Sequence, residues 1–507
     1  MHNEAQKVMD VKVLNVQIDF AVKINALRAK WVYRRKLTIS ICCNNLNFAM
    51  NLILSILIAT TYIGGYYEGE FGYFIHQNPW GRHKVETRFV GKPSEGTEAF
   101  ISLFYETTNQ RGRWLFWQGH LSMRKQFFEM TLFSREDRFY VPSPLLKLVN
   151  TDRLKDDSWG PKASGMRFDF WEKYGLYITG IVSKYGTWDG EAYVFKGYKK
   201  FMKDRFGLGV IYLKKDWRGS GVSFNEVTGL EGSFKVKGPL RINFEMAKSL
   251  HPNNADSSDR AAWELELRSI RFKNFLIAGS FFDYGRNFFD ELSNRFNPSF
   301  DREFGRRGYY AEVVYLVPYK AINLIYKAKT YRTNYYMGMP EASEHLVRWN
   351  YFETYWEFIN GFTFKASYDV MHEKHDTWRH LFFEIGGETK RAGGKIQLKI
   401  KDIGVNTRVV DVPYSIGQRV IWGVEARYNI TDNLQFYGRA AVGHAICGTW
   451  QSIFLQFAYR GFKNSEIYLE FGEPSHTADG LVNDPDVADT KERRVEQKIK
   501  LFYKFWF

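Results

Sequence analysis

The sequence predicts an all-β protein, a transmembrane antiparallel up-and-down β-barrel of about 22–24 strands. Three observations carry that expectation. Hydrophobicity alternates with a period of two along most of the chain, short and long connections alternate between the apolar segments, and the chain ends in a strand-patterned segment closed by Phe507.

Composition frames the reading. Aromatic residues make up 18% of the 507, with 31 Tyr, 43 Phe and 15 Trp, yet 25% are charged. Aromatic-rich but hydrophilic on average is what strands with one lipid face and one wet face should give. After residue 65 no run approaches the roughly 18 apolar residues a helical span requires. Two or three soluble domains would be the ordinary expectation at this length, but a closed sheet can absorb hundreds of residues as one unit. Only Cys42, Cys43 and Cys447 are present, which excludes a disulfide framework and zinc-finger spacing. Net charge is +15; residues 1–65 hold eight Lys/Arg and three Asp/Glu, leaving +10 on the remainder. A basic balance suits nucleic acid, anionic lipid or an anion-favouring pore. With no nucleic-acid motif in the chain, lipid head groups and a basic lumen are the expected partners.

The N-terminal stretch 1–65 is read apart from a barrel over 66–507. Residues 50–65, MNLILSILIATTYIGG, form an apolar run of signal-peptide length, too short to span as a helix. The basic cluster Arg34, Arg35 and Lys36 lies upstream. Either that cluster is a long n-region of one export signal, or translation starts at Met50. The CCNNLN interruption favours Met50, although such a start leaves almost no positive n-region. A buried N-terminal helix is the remaining alternative. Cleavage is expected near residues 61–66.

The period-two pattern recurs in separate segments. Trp263, Leu265 and Leu267 oppose Glu264, Glu266 and Arg268. Ile242, Phe244 and Met246 oppose Arg241, Asn243 and Glu245. Ile396, Leu398 and Ile400 oppose Lys395, Gln397 and Lys399, and Val420, Trp422 and Val424 oppose Arg419 and Glu425. Successive strand side chains point to opposite faces, so each segment has one greasy and one charged side. A soluble sandwich alternates too. Connection length separates the two. Tight turns are expected at Glu172–Gly175, Val236–Pro239, Phe272–Asn274, Val317–Tyr319, Asn360–Gly361, Ile430–Asn433 and Gly461–Asn464. Longer polar segments lie between them, near 135–163, 251–259, 284–306, 332–345, 402–416 and 473–493.

The C-terminus makes the reading more specific. In VEQKIKLFYKFWF, residues Ile499, Leu501, Tyr503, Phe505 and Phe507 share one face, and Lys498, Lys500 and Lys504 share the other. Phe502 and Trp506 fall on the charged side and depart from a purely polar lumen face. This segment resembles the terminal strand of bacterial outer-membrane β-barrel proteins. The resemblance implies a porin-like barrel in the bacterial outer membrane, short periplasmic turns, long extracellular loops, and recognition of those five residues by the barrel-assembly machinery. It identifies no particular porin or transporter family.

A barrel this wide must hold water, folded-in loops or a plug. Little chain precedes the first strand, so a separate N-terminal plug is not expected. The loop from Arg135 to Ala163 carries charge of both signs, including Arg135, Arg138, Asp152, Arg153, Asp156 and Asp157, around an apolar stretch Pro144–Val149. Folded inward it would constrict the pore; folded outward it would be an ordinary external loop. Candidate pore-lining charges are Arg241, Glu264, Glu266, Arg268, Lys395, Lys399, Arg419, Glu425, Arg427 and Arg439. The bland alternative is that they keep the wall wet and pair across strands. Tyr437 and Tyr468 could stack on sugars. His372, His375 and His380 are close in sequence, but a solvated corner is a better reading than a metal site. The acidic stretch Asp484–Asp489 could bind cations bridging lipopolysaccharide, with a solvated loop as the default. No hydrolase, Walker or dinucleotide motif occurs in a fitting context.

The expected function is passive diffusion of small hydrophilic solutes, anions favoured, without enzyme activity, cofactor or metal. A barrel sheathing a partner protein is the alternative, and a barrel hydrolase a further one.

Overall fold

A computed structural model describes residues 60–507 apart from 75–78, 93, 109–110, 137–140, 150–163, 173, 186–189, 218–223, 237–238, 252–258, 294, 297–302, 319, 337–338, 360, 375, 405–417, 446–447 and 473–497. The export-signal reading of the N-terminus therefore lies outside the described residues, although the first strand already includes Thr60–Gly65.

The described chain forms 24 β-strands. The first eight are β1 (Thr60–Phe74), β2 (Trp80–Gly91), β3 (Thr97–Thr108), β4 (Arg111–Lys125), β5 (Phe128–Ser134), β6 (Ser164–Trp171), β7 (Leu176–Tyr185) and β8 (Gly190–Phe201). Next come β9 (Phe206–Trp217), β10 (Phe224–Lys235), β11 (Arg241–Leu250), β12 (Ala261–Phe272), β13 (Phe275–Tyr284), β14 (Arg306–Leu316), β15 (Ile322–Tyr336) and β16 (Met339–Ile359). The last are β17 (Phe362–Glu373), β18 (Asp376–Glu388), β19 (Ala392–Lys401), β20 (Arg419–Asn429), β21 (Leu434–Ala445), β22 (Gly448–Tyr459), β23 (Ser465–Gly472) and β24 (Lys498–Trp506). Each pairs antiparallel with its neighbours in sequence, and β24 pairs with β1. The sheet is thus a closed up-and-down barrel whose strand backbones satisfy one another all the way round, as a hydrocarbon environment demands. At the seam Gly65 and Phe507 exchange both backbone hydrogen bonds, at 3.0 and 3.1 Å.

Both strand termini, at Thr60 and Trp506, lie at one rim. Every connection at that rim is two to five residues long, and all seven tight turns expected from the sequence fall there. Gly361 shows why Asn-Gly was a strong signal. Its φ is +81°, and a Cβ there would lie 2.3 Å from the Glu388 carbonyl oxygen. The strand ends joined by the long connections 135–163, 251–260, 285–305, 402–418 and 473–497 all lie at the other rim. One expectation is corrected. The segment 332–345 is not a loop, because β15 runs on to Tyr336 and β16 starts at Met339. Their pairing at Tyr335–Pro340 and Tyr336–Met339 continues beyond a register shift, so the two strands form an extended hairpin.

The outer wall is apolar. Ile396, Trp422, Val424, Phe281 and Phe352 are about half exposed and all point away from the lumen. Moving such a side chain out of water is worth about 1.5–3 kcal/mol, so a continuous wall of them belongs in lipid. Near the short-turn rim the outward positions are mostly aromatic. Phe201 and Phe206 lie 5.9 Å apart, Phe275 and Tyr315 4.6 Å, Phe436 and Phe457 5.1 Å, and Tyr459 and Phe462 5.2 Å. Phe507 stacks on Phe505 in the same belt. Such a girdle marks a membrane–water interface. Among the described residues no helix is long and apolar enough to cross a membrane; the strands cross instead. A closed sheet with this outer face is an outer-membrane barrel, and it places the chain in the bacterial outer membrane.

Candidate functional site: a lumen partly filled by its own loops

The inward positions carry the charge. Register alone puts Arg241 opposite Arg268, Lys395 opposite Glu425, Lys401 opposite Arg419, and Glu425 opposite Arg439, all on the lumen face. Glu266 accepts a hydrogen bond from Asn243 at 2.8 Å and pairs with Arg268 at 3.0 Å. Lys395 lies between Glu425 at 3.5 Å and Glu384 at 3.9 Å. Arg419 is bonded to Asp402 at 2.5 Å, Arg427 to Glu388, and Arg439 lies over the Tyr437 and Phe454 rings. Lys399 stands opposite Phe382. Further round, Lys500 joins Glu70 at 2.8 Å and Glu470 at 3.7 Å. The wall of β14–β24 and β1–β4 is thus a lattice of cross-strand ion pairs with interleaved aromatic rings, including the Tyr437 and Tyr468 named as possible sugar contacts.

The wall of β5–β13 is different. Here many inward positions are apolar as well: Ile181, Val194, Ile211, Leu213, Val227, Ala247 and Phe282 are all buried. Two connections from the long-loop rim fold into the barrel and cover them. The first is Val141–Val149, in which Val141, Leu146, Leu148 and Val149 are at most 2% exposed. The second joins β13 to β14 and contributes Phe288, Leu292 and Phe296. Wall and loops share one hydrophobic cluster, an internal core inside a membrane barrel.

Polar side chains of the wall fix the backbone of these loops. Glu245, 1% exposed on β11, accepts hydrogen bonds from the Ser143 hydroxyl at 2.6 Å and from the Leu145 and Leu146 amides at 2.8 and 2.9 Å. Ser143 in turn accepts from the Leu148 amide at 3.0 Å. Lys196 donates to the Pro142 carbonyl and to Glu231. For the second loop, Asn225 donates to the Phe289 carbonyl and accepts from the Glu291 amide, both at 3.0 Å, while the Ser249 hydroxyl accepts from the Phe289 amide. Arg295 ties the loops together. It donates to the Leu145 carbonyl at 2.5 Å and to Glu264 at 3.1 Å, and it also pairs with Glu303. Glu245 and Glu264 stand directly opposite each other on β11 and β12. Two facing carboxylates would repel; here each is satisfied by donors the loops bring in. At Gly229 a Cβ would come within 3.2 Å of Leu148, so the missing side chain lets the loop lie against the wall.

All ten pore-lining candidates occupy inward positions, but Glu264 faces the loops rather than an open channel. Of the constriction-loop candidates, Arg135 is described. Its guanidinium lies over the Trp117 ring, its amide donates to Ser164, and burial lowers its pKa. Arg138, Asp152, Arg153, Asp156 and Asp157 lie outside the described residues, as does the Asp484–Asp489 stretch. The five terminal-strand residues Ile499, Leu501, Tyr503, Phe505 and Phe507 occupy the outer face of β24 and its end. His372 bonds Thr377 and His380 approaches Asp402, while His375 lies outside the described residues. Among the described residues no three His, Cys, Asp or Glu are grouped to hold a metal ion. Sequence reasoning placed a loop near 284–306 and Glu245 on a charged face, but missed that this loop turns inward and that Glu245 anchors the first one. The available signal was apolar residues on both faces of strands such as β7 and β9, where a water-filled lumen calls for only one.

No family model and no curated protein matches the chain. Solved structures do. The Escherichia coli P pilus tip assembly intermediate PapC-PapD-PapK-PapG is 7% identical with a TM-score of 0.55, covering 88% of this chain and 61% of that one. The Pseudomonas aeruginosa ferric enterobactin receptor PfeA bound to enterobactin is 8% identical with a TM-score of 0.46, covering 89% and 82%. The P pilus usher PapC translocation pore is 8% identical with a TM-score of 0.40, covering 88% and 99%. At these identities a likeness speaks for the fold alone, and of the three the first is close enough to do so.

Proposed function

We propose that this barrel is a channel through which small hydrophilic solutes diffuse across the outer membrane, with anions favoured. One observation carries the reading: the wall of β14–β24 and β1–β4 presents paired charges and aromatic rings to the lumen while the outer face is apolar. Charged rings on a low-dielectric wall let a hydrated solute enter and leave without a tight site. The two in-folded loops cover the wall of β5–β13, where they would narrow the lumen from one side. The basic excess beyond residue 65 supports the anion preference. The reading requires no covalent chemistry and no cofactor. Lipopolysaccharide around the loop rim and the barrel-assembly machinery acting on β24 belong to the same proposal.

The test is single-channel recording from the purified full-length protein in planar bilayers. Ohmic steps with a reversal potential displaced toward the anion are expected. Silence from protein whose gel mobility shows a folded barrel would overturn the channel reading. The width of the barrel and the fold it shares with a P pilus assembly intermediate favour a second reading, a sheath for a partner protein. A sheath reconstituted without its partner need not conduct, so silence from folded protein would favour this second reading.

A further inference from the structure

We propose that the cavity beneath the first in-folded loop binds an anionic sugar, a hydroxylated ring carrying a carboxylate or a phosphate. This deepens the channel reading and rests on it for the meaning of the site, a stopping place for a passing solute. The cavity measures about 850 Å³ and lies between the Pro142–Val149 segment and the short-turn end of the wall of β6–β11. That volume suits a molecule of roughly disaccharide size.

Its chemistry has three parts. Tyr177 and Tyr198 stand directly opposite each other on β7 and β8, both facing inward, and both rings line the cavity. The Tyr198 hydroxyl is held by Ser233 at 2.8 Å, and the Lys200 ammonium lies 5.1 Å from the Tyr177 ring centre. An exposed tyrosine face packs on the C–H face of a sugar, and such rings cost little conformational entropy to order. The second part is hydrogen-bonding capacity: Thr179, Ser233 and Asn243 line the same space with hydroxyl and amide groups suited to ring hydroxyls. The third is charge. Lys147, Arg167, Lys196 and Lys200 line the cavity. Against them stand Glu231, bonded to Lys196 at 2.7 Å, and Asp169, which clamps Arg167 at 2.6 and 2.9 Å. The balance is positive, in a partly enclosed site where water screens charge less than in bulk. A neutral sugar would use the first two parts and leave the third unanswered; inorganic phosphate would use only the third.

Calorimetry on the full-length barrel in detergent tests this with four probes: digalacturonate, glucose 6-phosphate, maltose and inorganic phosphate. At least one acidic sugar is expected to bind about tenfold or more tighter than both maltose and phosphate. Which of the two binds better distinguishes a carboxylate from a phosphate ligand. The double variant Lys147→Gln/Lys200→Gln is expected to remove about a tenfold preference for the acidic sugar and to leave maltose nearly unchanged. Tyr177→Ala is expected to weaken every sugar and spare phosphate. Equal binding of acidic and neutral sugars, or a double variant that keeps its preference, would overturn the proposal. Conductance of the same preparations separates the two readings. A conducting barrel indifferent to acidic sugars removes the site alone, and a silent barrel that binds them removes the channel alone.

Discussion

Glu245 holds a segment about one hundred residues away in the chain, and it does so with both carboxylate oxygens. Its substitution by Ala would strand two amides and a hydroxyl in a buried site, at about 1–3 kcal/mol for each group left unpaired. The loop should then leave the wall part of the time. Expected for Glu245→Ala are noisier and larger single-channel steps than in the parent protein, with a normal gel shift. Steps unchanged in size and noise would show that the loop does not limit the pore. Glu303 gives a pH counterpart. Burial opposes its charge, but Arg295, Lys329 and Arg306 outweigh that and pull its carboxyl from 4.5 down to about 2. A folded-state value below the unfolded one stabilises the docked loop fully above about pH 4.5 and loses that effect as pH falls through 2. Conductance should therefore be steady from neutral pH to about 4.5 and should rise as pH is lowered further toward 2. In Glu303→Gln that acid-dependent rise should be reduced.

At the scale of elements, most of the wall was legible in the sequence. Alternation located the strands because lipid on one side and water on the other enforce a strict period of two. The turns were legible because few residues fit a two- to five-residue reversal. Where the environment is not lipid against water, the signal failed. The segment 332–345 is polar enough to look like a loop, yet β15 and β16 keep pairing through most of it, since polar side chains suit a hairpin extended toward solvent. Strands β7–β13 carry apolar residues inward because loops rather than water meet them. The stretch Pro144–Val149 stood out as unusually apolar, but its docking partner could not be named, because long-range packing leaves no periodic trace. Removing residues 141–149 should leave the barrel closed, since the strand ladders do not depend on them. It should enlarge conductance and lower thermal stability by exposing Ile181, Val194, Leu213 and Val227 to water, at about 1.5–3 kcal/mol for each side chain fully uncovered. A deletion variant with unchanged steps and unchanged melting would contradict the internal core.

At the scale of the whole molecule, the lumen is asymmetric. One arc, β5–β13, meets the in-folded loops with many apolar side chains, and the other presents paired charges and aromatic rings. Apart from the cations of the cavity beneath the first loop, the lumen charge is concentrated on β14–β24 and β1–β4, so charge reversal there should act on selectivity more than charge reversal at Arg241 and Arg268. Changing Lys395 and Lys399 together to Glu is expected to shift the reversal potential toward cations. The same change at Arg241 and Arg268 should shift it less, because Glu266 and the loop-bearing wall stand beside them. Equal shifts from the two pairs would remove the asymmetry as a functional feature.

The reciprocal bonds between Gly65 and Phe507 make the ring a clasp whose two halves sit at opposite ends of the folded chain. A nascent chain carrying everything but β24 would be an open curl with two bare edges, each able to capture a stranger. Strand β24 therefore decides whether the other strands become one cylinder or a seed for aggregation.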